Sequence, residues 1–349
     1  MMKLTGRLAH GALKGCVALL ALGLLVSCGG STEQVEPFEP TRLLVFGDEM
    51  SVLTNADPKG RKYSVNALDS GGIGLDCGAR PIWVQIVASS FGFSFEECNS
   101  ANRPETAGKI FAEPGAKADD LPAQIARAAA LTGCFNEADL VTVLIGANDV
   151  LDLYRNQYVP DAGSYQDNPS FKAANDELRA RGARLGRQIN ALTTLGPKVI
   201  VSTIPLMNLT PYANVQSQVR NDPNARQVLN DFSNTFNTAM RINIRNNGLF
   251  IGLVELDALL QAGVNDPGRY GLNNVNNAVC IPATWGTPDC DTNTLVPNGN
   301  ANTWLWASDL WIGSTAHLNL GNFARQRARG NPFGSPSGTQ CRPPPPPDS

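Results

Sequence analysis

Four short apolar runs, Arg42–Phe46, Leu140–Ile145, Lys198–Thr203 and Leu249–Val254, recur at wide intervals along the chain. Each is rich in Val, Ile, Leu or Phe without clean alternation, as expected of parallel strands covered on both faces. A fifth run, Phe93–Phe95, is shorter. Helical patterns separate them. Pro81–Phe91 opens on a proline and closes on Gly92, the usual asymmetry of a helix. Another begins at Asp119-Asp120-Leu121-Pro122 and runs to Leu131; Phe171–Leu195 and Asn224–Asn246 are long and amphipathic, and Leu318–Arg329 is the last. Strands alternating with helices predict an α/β class chain: a three-layer α/β/α domain around a parallel sheet. Ligands of such sheets sit beyond the carboxyl ends of the strands. The loops after Phe46, Ile145, Thr203 and Val254 are therefore where chemistry is expected.

The ends of the chain read differently. Lys3, Arg7 and Lys14 form a basic start, and Val17–Val26 is an apolar run too short for a spanning helix, so residues 1–27 read as a signal peptide. It ends Leu25-Val26-Ser27-Cys28, which resembles a bacterial lipoprotein box. That resemblance implies lipidation of Cys28, and acyl chains there would hold the protein at a membrane surface. Gly29 rather than Asp after the Cys implies, by the same resemblance, the outer membrane of the cell envelope. Residues 28–40 read as a tether, 41–333 as one domain without internal repeats, and 334–349, with five consecutive prolines, as an extended tail.

Apolar residues make up 42% of the chain, enough for a sizeable core and too many for a disordered one. Three of the 28 basic residues, and none of the 31 acidic ones, lie in the signal segment, so the remainder is net acidic. That balance excludes the electrostatic footprint of a nucleic-acid binder. It also gives no attraction to an anionic bilayer, leaving the lipid anchor as the only expected membrane contact. Beyond Cys16 and Cys28, six cysteines remain: Cys77, Cys98, Cys134, Cys280, Cys290 and Cys341. An even number in an exported chain suggests three disulfides, with about 15 pairings open. Cys77 with Cys98 and Cys280 with Cys290 are the shortest closures. No CxxC spacing occurs, and His317 is the only His past the signal, so no metal or other cofactor is expected.

The strand-end loops carry Phe46-Gly47-Asp48-Glu49-Met50-Ser51 and Gly146-Ala147-Asn148-Asp149. Gly115-Ala116 precedes a helix, and the C-terminal part holds Trp304-Leu305-Trp306-Ala307-Ser308-Asp309 and then His317-Leu318-Asn319-Leu320-Gly321. Together these resemble the GDSL/SGNH hydrolases, a family of esterases and lipases, over roughly Leu43 to Phe333. The resemblance implies the flavodoxin-like SGNH fold and an acyl-ester, lipid or glycan ligand. It implies an oxyanion hole from Gly115 and Asn148, a serine nucleophile in the first block, and an Asp/His pair near the C-terminus.

The chain departs from that pattern at the reacting groups. Glu49 stands where the family has its nucleophile. With Trp304–Ala307 and His317–Gly321 as anchors, Ser308 falls on the acid position and Trp311 on the base position; a shift of one puts Asp309 and Ile312 there instead. The carboxylate of Glu49 is expected to fill the oxyanion hole, held by charge-assisted hydrogen bonds, with its pKa lowered. The alternative leaves Glu49 turned to solvent. Other routes are Ser51 activated by His317, Glu49 as base for a water, or a hard-cation site from Asp48, Glu49, Asp149 and Asp309. His317 reads equally as a capping residue. Trp285, Trp304, Trp306 and Trp311 read as core around a loop or as an aromatic platform. The two functions left open are an ester hydrolase with a remodelled site and a silent relative that binds a ligand or envelope partner through the same cleft.

Overall fold

The computed structural model describes residues 37–161, 163–245, 248–280 and 288–330. Residues 1–27, read above as a signal, together with Cys28, Trp285, Cys341 and residues 334–349, lie outside the described residues. The sheet is built from β1 (Arg42–Gly47), β2 (Gly108–Ile110), β3 (Asp139–Leu144), β4 (Lys198–Ser202) and β5 (Ile251–Val254). Its order is β2–β1–β3–β4–β5, and every pairing is parallel. That is the flavodoxin-like order of a doubly wound sheet. All residues of β3 and β4 are buried, because helices cover both faces. This explains why the runs are continuously apolar rather than alternating.

The helices are α1 (Trp83–Ser90), α2 (Leu121–Thr132), α3 (Ala147–Asn156), α4 (Pro169–Thr193), α5 (Pro211–Val219), α6 (Ala225–Asn243), α7 (Leu256–Asn265) and α8 (Ser314–Arg329). α1 packs on α8, and α4 on α6. The second pair approaches closely because Gly182 and Gly186 face α6. A Cβ at Gly182 would lie 2.4 Å from the Phe236 carbonyl oxygen, and one at Gly186 2.7 Å from Asn243 Cβ.

Several expectations need correction. The fifth strand is Gly108–Ile110, not Phe93–Phe95. Phe95 makes only isolated bridges, to Gly108 and Cys98, and its ring covers Gly108 so closely that a Cβ there would sit 2.7 Å away. Phe38, assigned to the tether, is buried in the core. α8 begins four residues before the expected start, so His317 lies in its first turn. α3, α5 and α7 are helices that the periodicity alone did not reveal.

The two short closures are disulfides, Cys77–Cys98 and Cys280–Cys290, and Cys134 is disulfide-bonded as well. Cys77 belongs to a loop organised by Lys62. That side chain is fully buried, and its Nζ donates to the carbonyls of Cys77, Ala79 and Arg80 at 3.1, 2.6 and 3.0 Å. Three acceptors satisfy all three ammonium protons, which is what makes a buried lysine tolerable. Burial nevertheless holds its pKa down at about 8.

Candidate functional site

The parallel strands bring their carboxyl ends to one edge of the sheet. β1 ends at Gly47, whose N–H and carbonyl are both clasped by the Gln124 side-chain amide, at 2.8 and 2.9 Å. Gly47 has φ +147°, and a Cβ there would lie 2.2 Å from the Leu144 carbonyl oxygen. The chain must therefore turn sharply at this point. Asp48 caps the turn that follows, Glu49–Ser51, accepting from the Met50 N–H at 3.2 Å. The Glu49 side chain is thereby aimed at the neighbouring loops.

Two of those loops meet it. Gly115 lies between β2 and α2 with φ +79°, a conformation that suits glycine, and Asn148 lies in the first turn of α3. The Gly115 N–H donates to Glu49 Oε1 at 2.9 Å, and Asn148 Nδ2 donates to Glu49 Oε2 at 2.8 Å. Asn148 Nδ2 also reaches the Ala116 carbonyl at 3.2 Å. Asp149 fastens the same loop to α3, accepting from the Ala118 N–H at 2.8 Å and from Arg181 Nη1 at 3.3 Å. Glu49 is 4% exposed, so it is not turned to solvent. The expected meeting of Glu49, Gly115 and Asn148 is what the structure contains.

The expected fall in the Glu49 pKa does not occur. Burial raises it, and the bonds from Asn148 and Gly115 only partly offset that. Asp48 is raised well above the ordinary aspartate range by burial and by the Glu49 charge, with Asp149 adding to it. One Asp48 oxygen, Oδ2, is buried without a hydrogen-bond partner. Asp149 is pushed up to about 6 by burial, against the pull of Arg181. Three carboxyl groups thus share a dry pocket with one guanidinium, which is why dehydration outweighs hydrogen bonding. Tyr63 lies close enough to Glu49 to feel its charge: burial first, then Glu49 and Asp289, raise its phenol.

Ser51 and His317 are both fully buried, and no hydrogen bond joins them. Both are instead tied to Trp83. Its indole Nε1 donates to Ser51 Oγ at 3.2 Å, and its backbone N–H approaches His317 Nδ1 at 3.4 Å. Burial, helped by the Lys62 charge, lowers the His317 pKa to about 3, so the imidazole is neutral. Ser308 Oγ accepts from the Leu310 and Trp311 N–H groups, a local turn, and Trp311 is 1% exposed. Trp306 is core as well, its Nε1 donating to the Val275 carbonyl at 2.9 Å, while Trp304 is half-buried. Asp309 lies in a cleft of about 520 Å³ with Trp304, Asn276 and Pro211, apart from the Asp48–Glu49–Asp149 cluster. Among the described residues no group of acidic, His or Cys side chains is arranged to hold a metal.

Four contributors escaped the sequence: Trp83, Gln124, Lys62 and Tyr63. Gln124 carried a weak signal, as a polar residue inside an otherwise apolar stretch, and Lys62, in a polar loop, carried none. Trp83 carried none, since its partners lie 32 and 234 positions away.

No curated protein matches the chain significantly. Among solved structures it is similar to Axe2, an acetylxylan esterase from Geobacillus stearothermophilus, at 17% identity over 84% of this chain and 96% of that one, TM-score 0.41. It is also similar to an extracellular lipase from Streptomyces rimosus, at 16% identity over 80% and 98% of the two chains, TM-score 0.44. The model of the GDSL-like lipase/acylhydrolase family matches residues 60–279, a span that begins after Glu49 and covers more than half of the chain. With this match and with a parallel sheet whose strand-end loops bring Gly115 and Asn148 together, the chain belongs to the GDSL-like lipase/acylhydrolase family.

Proposed function

We propose that this chain is a lipid-anchored, catalytically silent member of the family, which binds a ligand or a cell-envelope partner through the strand-end cleft. One observation carries the proposal. The donor pair of Gly115 and Asn148 is filled by the protein's own carboxylate, Glu49. Acyl transfer needs a hydroxyl nucleophile beside a base, and a vacant donor pair for the oxyanion. Here the nucleophile position holds an acid. The hydroxyl of Ser51, two residues on, accepts from an indole, and the imidazole of His317 is neutral, buried and bound elsewhere. The anchor is Cys28, with the outer membrane as destination and an acyl-ester, lipid or glycan group as the ligand class.

A second reading keeps hydrolysis, with Glu49 as general base for a water. The upward shift of its pKa favours this reading, because a base works best near the operating pH. The two are separated by treating the mature chain with a fluorophosphonate probe and by measuring hydrolysis of short acyl esters. Silence predicts no serine adduct and no turnover above that of Glu49→Ala. Turnover that Glu49→Ala abolishes would establish the second reading. Mass spectrometry of the membrane-extracted chain tests the anchor, with an acylated Cys28 as its first residue.

A further inference from the structure

We propose that Glu49 is an internal ligand released by protonation, so that in mild acid the Gly115–Asn148 pair opens to a carboxylate or carbonyl oxygen from outside. The inference rests on the silent, ligand-binding reading of this site and adds what controls it. The geometry demands an ionised acid. The Gly115 N–H and Asn148 Nδ2 both donate, one to each Glu49 oxygen, at 2.9 and 2.8 Å. The Gly115 N–H can only donate, and the Ala116 carbonyl at 3.2 Å holds Asn148 with its Nδ2 toward Glu49. A protonated carboxyl carries an O–H on one of its two oxygens and no longer has the charge that strengthens both contacts. The clasp would weaken at both oxygens, and most at the protonated one.

The surroundings favour taking up that proton. Asp48 lies beside Glu49 in the same turn and is buried, with Oδ2 unpartnered. Asp149 faces the cluster from α3, and Tyr63 faces it from the loop after β1. Among the described residues, the cation that ion-pairs with the cluster is Arg181 of α4, which is spent on Asp149, Asp152 and Glu177. Like charges close together in a dry pocket cannot all stay ionised. Burial shifts Glu49 and Asp48 upward, and the Glu49 charge adds to the shift of Asp48. Space is available once Glu49 leaves. A Cβ on Gly115 would meet no atom within 4 Å, so the loop is open on that side.

The test follows the donors. The mature chain is labelled with 15N at Gly and Asn and titrated from about pH 8 to about pH 4. The Gly115 amide and the Asn148 side-chain amide should move together, with a midpoint above the ordinary glutamate value of about 4.3. Glu49→Gln, which cannot titrate, should remove that transition. Formate, which stays ionised in mild acid, should shift the same two resonances and bind about tenfold more tightly near pH 5 than near pH 8. Donor resonances flat throughout, a transition that persists in Glu49→Gln, or equal formate binding at both pH values would each overturn the release. If Glu49→Gln does not fold, the wild-type titration and formate binding still decide. Ester turnover appearing only in acid would sink the silent reading and leave the release standing, so the two fail separately.

Discussion

Asn148 Nδ2 reaches across 99 positions of sequence to Glu49 Oε2 at 2.8 Å, joining the first turn of α3 to the turn after β1. The contact converts a pair of donors into a structural cross-link. Glu49→Ala should therefore destabilise the fold at neutral pH by about 1–2 kcal/mol, the cost of two weakened donors discounted for water reaching the open side. Urea unfolding of the two proteins measures it. An unchanged midpoint would mean that dehydration of the carboxylate cancels its bonds.

Restoring a serine should not restore a hydrolase. Glu49→Ser places a hydroxyl by the donor pair, but among the described residues the one imidazole, His317, turns its Nδ1 to the Trp83 N–H. Trp311 is buried. Without a base, a serine loses most of its advantage. Hydrolysis of p-nitrophenyl acetate by Glu49→Ser should stay within about tenfold of wild type, since general-base catalysis alone is worth about 10²–10⁴. Efficient turnover would show that another side chain supplies the base.

His317 makes the fold sensitive to acid. Its folded pKa, about 3, lies below the ordinary histidine value of 6.5, so the unfolded chain takes up a proton first as pH falls. The stability due to its neutrality is complete above the ordinary value and is lost progressively below it, by about 2 kcal/mol at pH 5. Asp149 acts in the opposite sense. Its folded pKa, about 6, lies above the ordinary 3.8, so the folded chain takes up that proton first. His317→Asn keeps an acceptor for the Trp83 N–H but cannot be charged. Its stability should hold or rise from pH 7 to pH 5, where wild type gains less or falls. Parallel profiles for the two proteins, from denaturant melts at both pH values, would contradict the assignment.

Legibility in the sequence followed burial. β1, β3, β4 and β5 could be read because strands covered on both faces must be apolar throughout. β2 could not, since Gly-Lys-Ile is short and its glycine is there to receive the Phe95 ring. The meeting of Glu49, Gly115 and Asn148 was implied by the resemblance to the family, not by periodicity or spacing. The direction of the Glu49 shift could not be read. Counting its donors suggests a lowered value, whereas the raised one comes from the dryness of the pocket. The tie from Trp83 to Ser51 and His317 is purely tertiary, and no local pattern encodes it.

Lys62 holds the loop before α1 from within. Its three carbonyl partners belong to Cys77, Ala79 and Arg80, and Gln85 Nε2 adds a bond to the Cys77 carbonyl at 3.1 Å. Lys62→Met fills nearly the same volume but leaves the Ala79 and Arg80 carbonyls without this donor. The loss should be about 2–4 kcal/mol, because a buried acceptor without a partner costs about 1–3 kcal/mol. The same change also removes the charge that helps keep His317 neutral. The His317 pKa should therefore rise in Lys62→Met, and 15N shifts of its imidazole would record it. A lowered melting temperature with no change at His317 would show that burial alone keeps the imidazole neutral.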